Sequence, residues 1–210
     1  MGKVRVAGFG VSIDGFGAGP DQGLEHPLGK RGGELMNWFY PTRAFRSMIG
    51  KDGGTEDRFA GSAMEDFGAF ILGRNMFGPA GDDWGGPDWK GWWGDNPTYH
   101  APTFILTHHA RDPIVMEGGT IFHFVTDGIQ AALAQAKAAA GELDVKIGGG
   151  VSTVRQYLLA GAIDELHLAL SPVVLGRGES LFSGIDLPRL GYRVTKAVPT
   201  ELATHLVLTR

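Results

Sequence analysis

"KIGGGVSTVRQYLLAGAIDEL", Lys146 to Leu166, places three consecutive glycines between two regular segments. A short apolar run enters them. An amphipathic segment leaves them, with Val154, Tyr157, Leu158 and Ala162 on one helical face. "IDELHLALSPVV" (163–174) then reads as a further strand. Strand, helix and strand in succession predict a parallel pair. Each glycine costs roughly 0.5–1 kcal/mol against alanine in a regular element, so three in a row need a reason. Two reasons fit. One is a tight turn with left-handed backbone. The other is close approach of bare backbone to a ligand, at a helix N-terminus whose free N–H groups and dipole suit an anion such as phosphate. The standard motifs are incomplete: Gly148 and Gly150 begin a G-x-G-x-x-G that ends in Thr153, and no Gly-Lys-Ser/Thr occurs.

Outward from this block, "KVRVAGFGVSI" (3–13), "GAFILG" (68–73), "TFILTH" (103–108), "TIFHFV" (120–125) and "DVKIGG" (144–149) read as strands. "DGIQAALAQAKAAAGE" (127–142) is the clearest helix, with Asp127 as cap, Gln130 in capping-box position and Gly141 as stop. "ELMNWFYPTRAFRSMIG" (34–50) has helical spacing that Pro41 divides, and "RFAGSAMEDF" (58–67) gives another turn or two of helix. "GYRVTKAV" (191–198) and "TELATHLVLTR" (200–210) are successive strands that predict antiparallel pairing at the C-terminal edge. The whole chain, 1–210, reads as one α/β domain. Residues 79–102, with four of the five tryptophans, form a long aromatic loop.

Hydrophobic residues make up 43% of the 210 and charged residues 20%, an ordinary globular balance. Net charge is −4 with no basic run, which argues against nucleic acid or an anionic membrane as partner. Cysteine is absent, so disulfides, thiolate metal sites and a cysteine nucleophile are excluded. No signal-peptide pattern or membrane-length apolar run stands out, and a cytoplasmic protein is expected.

Two further features sit at strand ends. In "FILGRNMF" (70–77) the guanidinium of Arg74 emerges at the carboxyl end of a buried strand, the edge where open α/β sheets bind ligands. Arginine pairs with phosphate as a bidentate fork. In "FILTHHARDP" (104–113), Thr107, His108 and Arg111 follow another strand. His108 and His109 are adjacent and point apart, and H-E-x-x-H is missing, so no metal site is expected.

Together, "GVSIDGF" (10–16), "ILGRNMF" (71–77), "PTFILTH" (102–108), "IGGGVSTVRQYLLAGAIDELHLALSPVVLGRGESLF" (147–182) and the closing strand pair resemble the dihydrofolate reductase-like superfamily. Within it they are most similar to stand-alone reductases related to the C-terminal domain of the bifunctional riboflavin-biosynthesis deaminase-reductase. The resemblance implies a three-layer fold: a mixed, mostly parallel sheet flanked by helices, with an antiparallel C-terminal edge. It implies NADPH across the carboxyl edge of the sheet, held by Val11, by Gly73, Arg74, Asn75 and Met76, by Thr107 and His108, and by Gly148, Gly149, Gly150, Val151, Ser152, Thr153 and Val154. It also implies a cis peptide at Gly148–Gly149 and a homodimer. No deaminase domain is expected beside it. The acid that dihydrofolate reductases carry in their first helix is missing, since that region has only Glu34 at its start. A substrate-contacting glutamate of the riboflavin-pathway reductase is replaced by Gly148. Asp14, Asn37 and Trp38 are the substrate-side candidates. Asp14 is equally a turn former, and Trp38 equally a core residue.

The expected function is an NADPH-dependent oxidoreductase reducing a small, pteridine- or pyrimidine-like heterocycle by hydride transfer, with Asp14 or a water as proton source. The alternatives are an NADP-binding or oligomeric scaffold without turnover, and a flavin-binding protein.

Overall fold

The computed structural model describes residues 2–55, 57–79, 86 and 88–210. In chain order its strands are β1 (Val4–Ser12), β2 (Phe16–Ala18), β3 (Phe67–Gly73), β4 (Pro102–Leu106), β5 (Ile114–Val115), β6 (Ile121–Val125), β7 (Asp144–Gly149), β8 (Glu165–Ser171), β9 (Glu179–Ser180), β10 (Arg193–Pro199) and β11 (Thr204–Thr209). The helices are α1 (Arg43–Met48), α2 (Arg58–Ser62), α3 (Arg74–Phe77), α4 (Gly128–Ala140) and α5 (Val151–Leu159). Among the described residues nine strands form one sheet in the order β10-β11-β8-β1-β7-β3-β4-β6-β5. The run from β8 to β6 is parallel throughout. β11 and β10 continue it antiparallel at the C-terminal edge, as expected, and short β5 adds an antiparallel strand at the other edge.

Three layers result from where the apolar residues point. Along β3 every residue from Ala69 to Leu72 is buried, as a central parallel strand requires. Ile71 packs with Val145, Ile147 and the helices α4 and α5 on one face; Leu72 packs with Phe77, Ile105 and Phe122 on the other. α4 is rich in alanine, the best helix former, and buries Ala132, Leu133, Ala136 and Ala140. Asp127 makes no side-chain cap, so the expected capping box is not formed, although the helix ends before Gly141 as read. Pro41 divides the 34–50 segment into a 3₁₀ turn at Gly32–Met36 and α1, whose N-terminus is capped by Thr42 Oγ1 accepting from Phe45 N–H at 3.2 Å. Ala162, assigned by spacing to the face of α5, lies beyond the last helical residue.

The non-proline cis peptide falls one bond later than expected, at Gly149–Gly150. Residues 80–85 and 87 of the tryptophan loop, Trp84 among them, lie outside the described residues. The described part is anchored by Trp89, whose Nε1–H donates to Phe77 O at 2.8 Å and whose ring meets Trp92 edge-on. No described helix is long and apolar enough to cross a membrane.

Candidate active site

A cavity of about 870 Å³ opens along the carboxyl edge of the sheet. Parallel strands deliver their loops to this edge. β7 brings Gly148 and Gly150, β3 brings Gly73 to Met76, and β4 brings Thr107 and His108. β6 adds Thr126, with Gly128 and Ile129 just beyond.

In the glycine corner the left-handed backbone falls on one glycine and the cavity wall on the other two. Gly149 has φ of +124°, a backbone that L side chains rarely adopt. Gly148 and Gly150 line the cavity. A Cβ on Gly148 would meet Leu72 Cδ2 at 2.4 Å, and one on Gly73 would meet Thr153 Oγ1 at 2.4 Å, whereas a Cβ on Gly150 has nothing nearer than Met76 Cγ at 4.0 Å. Gly150 therefore keeps open the space into which α5 points. The first intrahelical bond runs from Val154 N–H to Gly150 O, so the amides of Val151, Ser152 and Thr153 have no partner in the preceding turn. All three residues line the cavity at the positive end of the helix dipole. Arg74 lines the same space; its guanidinium donates to Asn75 Oδ1 at 3.4 Å and to Pro79 O. Thr107 is nearly buried, and its hydroxyl accepts from His109 N–H at 3.1 Å, which shapes the loop that presents His108. This cradle of amides, a guanidinium and unobstructed glycine fits a dinucleotide phosphate.

Other expected contacts fall elsewhere. Val11 is buried in the core and does not line the cavity; β1 reaches it through Val6 to Gly10. β1 carries a register shift between Val6 and Phe9, where Gly8 has φ of +71°. Gly149 and Val154 also stay out of the wall, Val154 being fully buried beneath it.

On the substrate side, Trp38 is buried and lines the cavity, with no partner for its Nε1–H among the described residues. Asn37 is exposed and does not line it, because in the turn after Met36 adjacent residues project differently. Asp14 is exposed and outside the wall. Its carboxylate accepts from Leu175 N–H at 3.1 Å and Gly176 N–H at 2.7 Å. The Ser12 hydroxyl, with those amides, holds it below the usual carboxylate range, and these bonds tie its loop to the 175–176 segment. Glu34 is engaged by Arg31 through both oxygens, at 2.9 and 3.0 Å. The described lining residues include one carboxylate, Glu179, which accepts from Gln22 Nε2–H at 2.7 Å.

Lys146 was missed. It lies mid-strand on β7, two residues before the glycine corner, and lines the cavity. Its ammonium donates to Ala63 O and lies 3.7 Å from Met64 Sδ. Burial, aided by the charge of Arg5, pulls its pKa down to about 8. The signal was a lysine in an otherwise apolar strand entering the glycines. Among the described residues no group of three or more His, Asp or Glu has the arrangement of a metal site.

No curated protein matches the chain by sequence. Solved structures match it in fold. A putative riboflavin biosynthesis protein from Shewanella sp. PV-4 is 20% identical over all of this chain and 99% of its own, with a TM-score of 0.59. A Thermotoga maritima diaminohydroxyphosphoribosylaminopyrimidine deaminase/5-amino-6-(5-phosphoribosylamino)uracil reductase is 14% identical over 99% of this chain and 56% of its own, with a TM-score of 0.53. A pyrimidine reductase-like protein from Corynebacterium diphtheriae is 12% identical over 99% of this chain and 91% of its own, with a TM-score of 0.51. A family model described as the RibD C-terminal domain matches residues 5–207, from the second residue of β1 into β11. On that match the chain belongs to the RibD C-terminal domain family.

Proposed function

We propose that the protein is an NADPH-dependent oxidoreductase acting on a small ring compound. The observation that carries this reading is the convergence of the α5 amides, Gly150 and Arg74 on one cavity at the carboxyl edge of the sheet. When bound, NADPH supplies hydride; the chain supplies placement and electrostatics. The amides of Val151 to Thr153 meet a phosphate, Arg74 adds a fixed positive charge, and Thr107 and His108 offer donors at the neighbouring strand end. The walls formed by β1, the 35–48 segment and Lys146 hold the substrate and exclude water. The homodimer implied by the resemblance is part of the proposal, with sedimentation equilibrium as its check.

A non-catalytic NADP-binding role is the second reading. It is favoured by one observation: Asp14 and Glu34 are committed to partners outside the cavity. Titrating NADPH by fluorescence, then following its oxidation with a panel of heterocycles, separates the two. Binding with oxidation supports the reductase. Binding without oxidation by any ring favours the second role, and failure to bind NADPH removes both.

A further inference from the structure

The half of the cavity away from the glycine corner has unusual walls for an enzyme of phosphorylated intermediates. Met36, Trp38, Phe39, Phe45, Met48 and Tyr99 supply much of its surface. The described lining residues include two with Lys or Arg side chains, Arg74 and Lys146, and Arg74 belongs to the glycine side. Lys146 is thus the one such cation on the described far wall.

An ammonium has three N–H donors and no acceptor. Lys146 directs one to Ala63 O and holds another near Met64 Sδ, which leaves one for the cavity. Trp38 Nε1 and Thr98 Oγ1 have no partner among the described residues, but both atoms are fully occluded and do not face the cavity. The far half therefore offers one donor, Lys146, suited to a neutral acceptor, and flat apolar faces suited to rings. It does not offer what a phosphomonoester needs. That group carries about −1.5 to −2 charges at pH 7, and buried charge is tolerated only when paired and fully hydrogen-bonded. A single, partly engaged ammonium does not meet that requirement.

We infer that this half of the cavity binds a flat, phosphate-free ring compound whose ring carbonyl accepts a hydrogen bond from Lys146. The inference rests on the reading that the glycine corner holds NADPH, and it narrows the substrate class of that site. Lys146 is retained there against a burial penalty, which suits a group kept for ligand contact.

The test is tryptophan-fluorescence and calorimetric titration of the full chain, saturated with NADP⁺ so that no reduction occurs. The probes are lumiflavin, riboflavin and flavin mononucleotide; the last two differ by one phosphate. Lumiflavin and riboflavin are expected to bind, with flavin mononucleotide at least tenfold weaker than riboflavin. A Lys146→Met protein is expected to lose at least fivefold in lumiflavin affinity while its NADP⁺ affinity moves less than twofold. Equal or tighter binding of flavin mononucleotide overturns the inference, as does absence of lumiflavin binding or its indifference to Lys146→Met. The riboflavin comparison uses the unaltered chain and stands even if the variant fails to fold. If NADP⁺ itself does not bind, the reductase reading fails. The same titrations on the cofactor-free chain then decide the ring inference separately.

Discussion

His167 and His205 face each other across β8 and β11 with Nε2 of the first 2.9 Å from Nδ1 of the second, both rings buried. Gly8 N–H donates to His167 Nδ1 at 3.1 Å, so the His167 proton sits on Nε2 and is given to His205. His205 then carries its own proton on Nε2, which has no partner among the described residues, and its ring stacks on Phe59 at 4.1 Å. Adding a proton to either ring sets donor against donor. Burial, with the charges of His205, Arg5 and Lys146, depresses His167 to about 4 against a weaker pull from Asp57; burial likewise lowers His205.

Acid stability follows from this pair. Both rings are neutral when folded, while unfolded histidine binds a proton near pH 6.5, so the unfolded chain takes up more protons as pH falls below that value. Stability should be fully present above about pH 6.5 and decline towards pH 4. For His167, the fall from 6.5 to about 4 corresponds to about 3 kcal/mol. Urea unfolding between pH 7 and 4.5 checks the slope. His205→Phe should flatten it and cost about 1–3 kcal/mol at pH 7, because His167 Nε2–H loses its acceptor.

Lys146 has the opposite consequence in alkali. Its pKa is about 8 folded and 10.5 unfolded, so its charge opposes folding below about pH 8, and the penalty is relieved as pH rises from 8 to 10.5. Lys146→Met should therefore be more stable than the parent at pH 7, by up to about 3 kcal/mol. The difference should shrink towards pH 10, as read by thermal unfolding across that range. A variant less stable at pH 7 would show that the bond to Ala63 O outweighs burial.

Gly73 and Thr153 form a coupled pair across the cavity floor. Gly73→Ala brings a Cβ to 2.4 Å from Thr153 Oγ1 and should cost about 1–3 kcal/mol. Removing the hydroxyl as well, in Gly73→Ala/Thr153→Ala, should recover much of that loss. A double-mutant cycle by denaturant titration reads the coupling.

Cofactor choice should depend on Arg74. A charge-assisted hydrogen bond is worth roughly 1.5–3 kcal/mol, so Arg74→Ala should weaken NADPH about 10- to 100-fold. NADH should be weakened less, because it lacks the 2′-phosphate. Fluorescence titration of both cofactors against parent and variant is the check; equal losses would place Arg74 away from that phosphate.

Dihydrofolate should be a poor substrate. A protonated pterin needs a buried carboxylate, and Asp14 and Glu34 are engaged elsewhere. Steady-state turnover should lie at least two decades below the roughly 1 per second of ordinary enzymes. Asn37→Asp should not raise it, since Asn37 is exposed.

Much of the fold was legible because the parallel strands are apolar runs bounded by glycine and proline. The glycine corner was legible because three glycines violate propensity together. The substrate side was not. Asn37 and Trp38 are neighbours, and only the turn after Met36 decides which one enters the cavity. Asp14 looked free because its partners, Leu175 and Gly176, lie more than 160 residues away. The register shift around Gly8 in β1 is likewise not revealed by a sequence pattern. Lys146 stands out as a lysine in the strand entering the glycines, but its alternation with Val145 and Ile147 does not say that its face borders a void.

The position of β1 in the sheet constrains how the chain comes off the ribosome. Its two neighbours are β7 and β8, so the earliest described strand waits until residue 171 has been made before both flanks can pair. At synthesis rates of about 5–20 residues per second, that wait lasts roughly 8–32 seconds. Until β7 is complete at residue 149 this apolar strand has two open edges for wrong partners, and one stays open until β8 follows. Such long-range pairing also slows refolding, because loop closure precedes any reward from contact. Production at lowered temperature with ample chaperone should therefore raise the yield of native protein more than any change confined to the cavity.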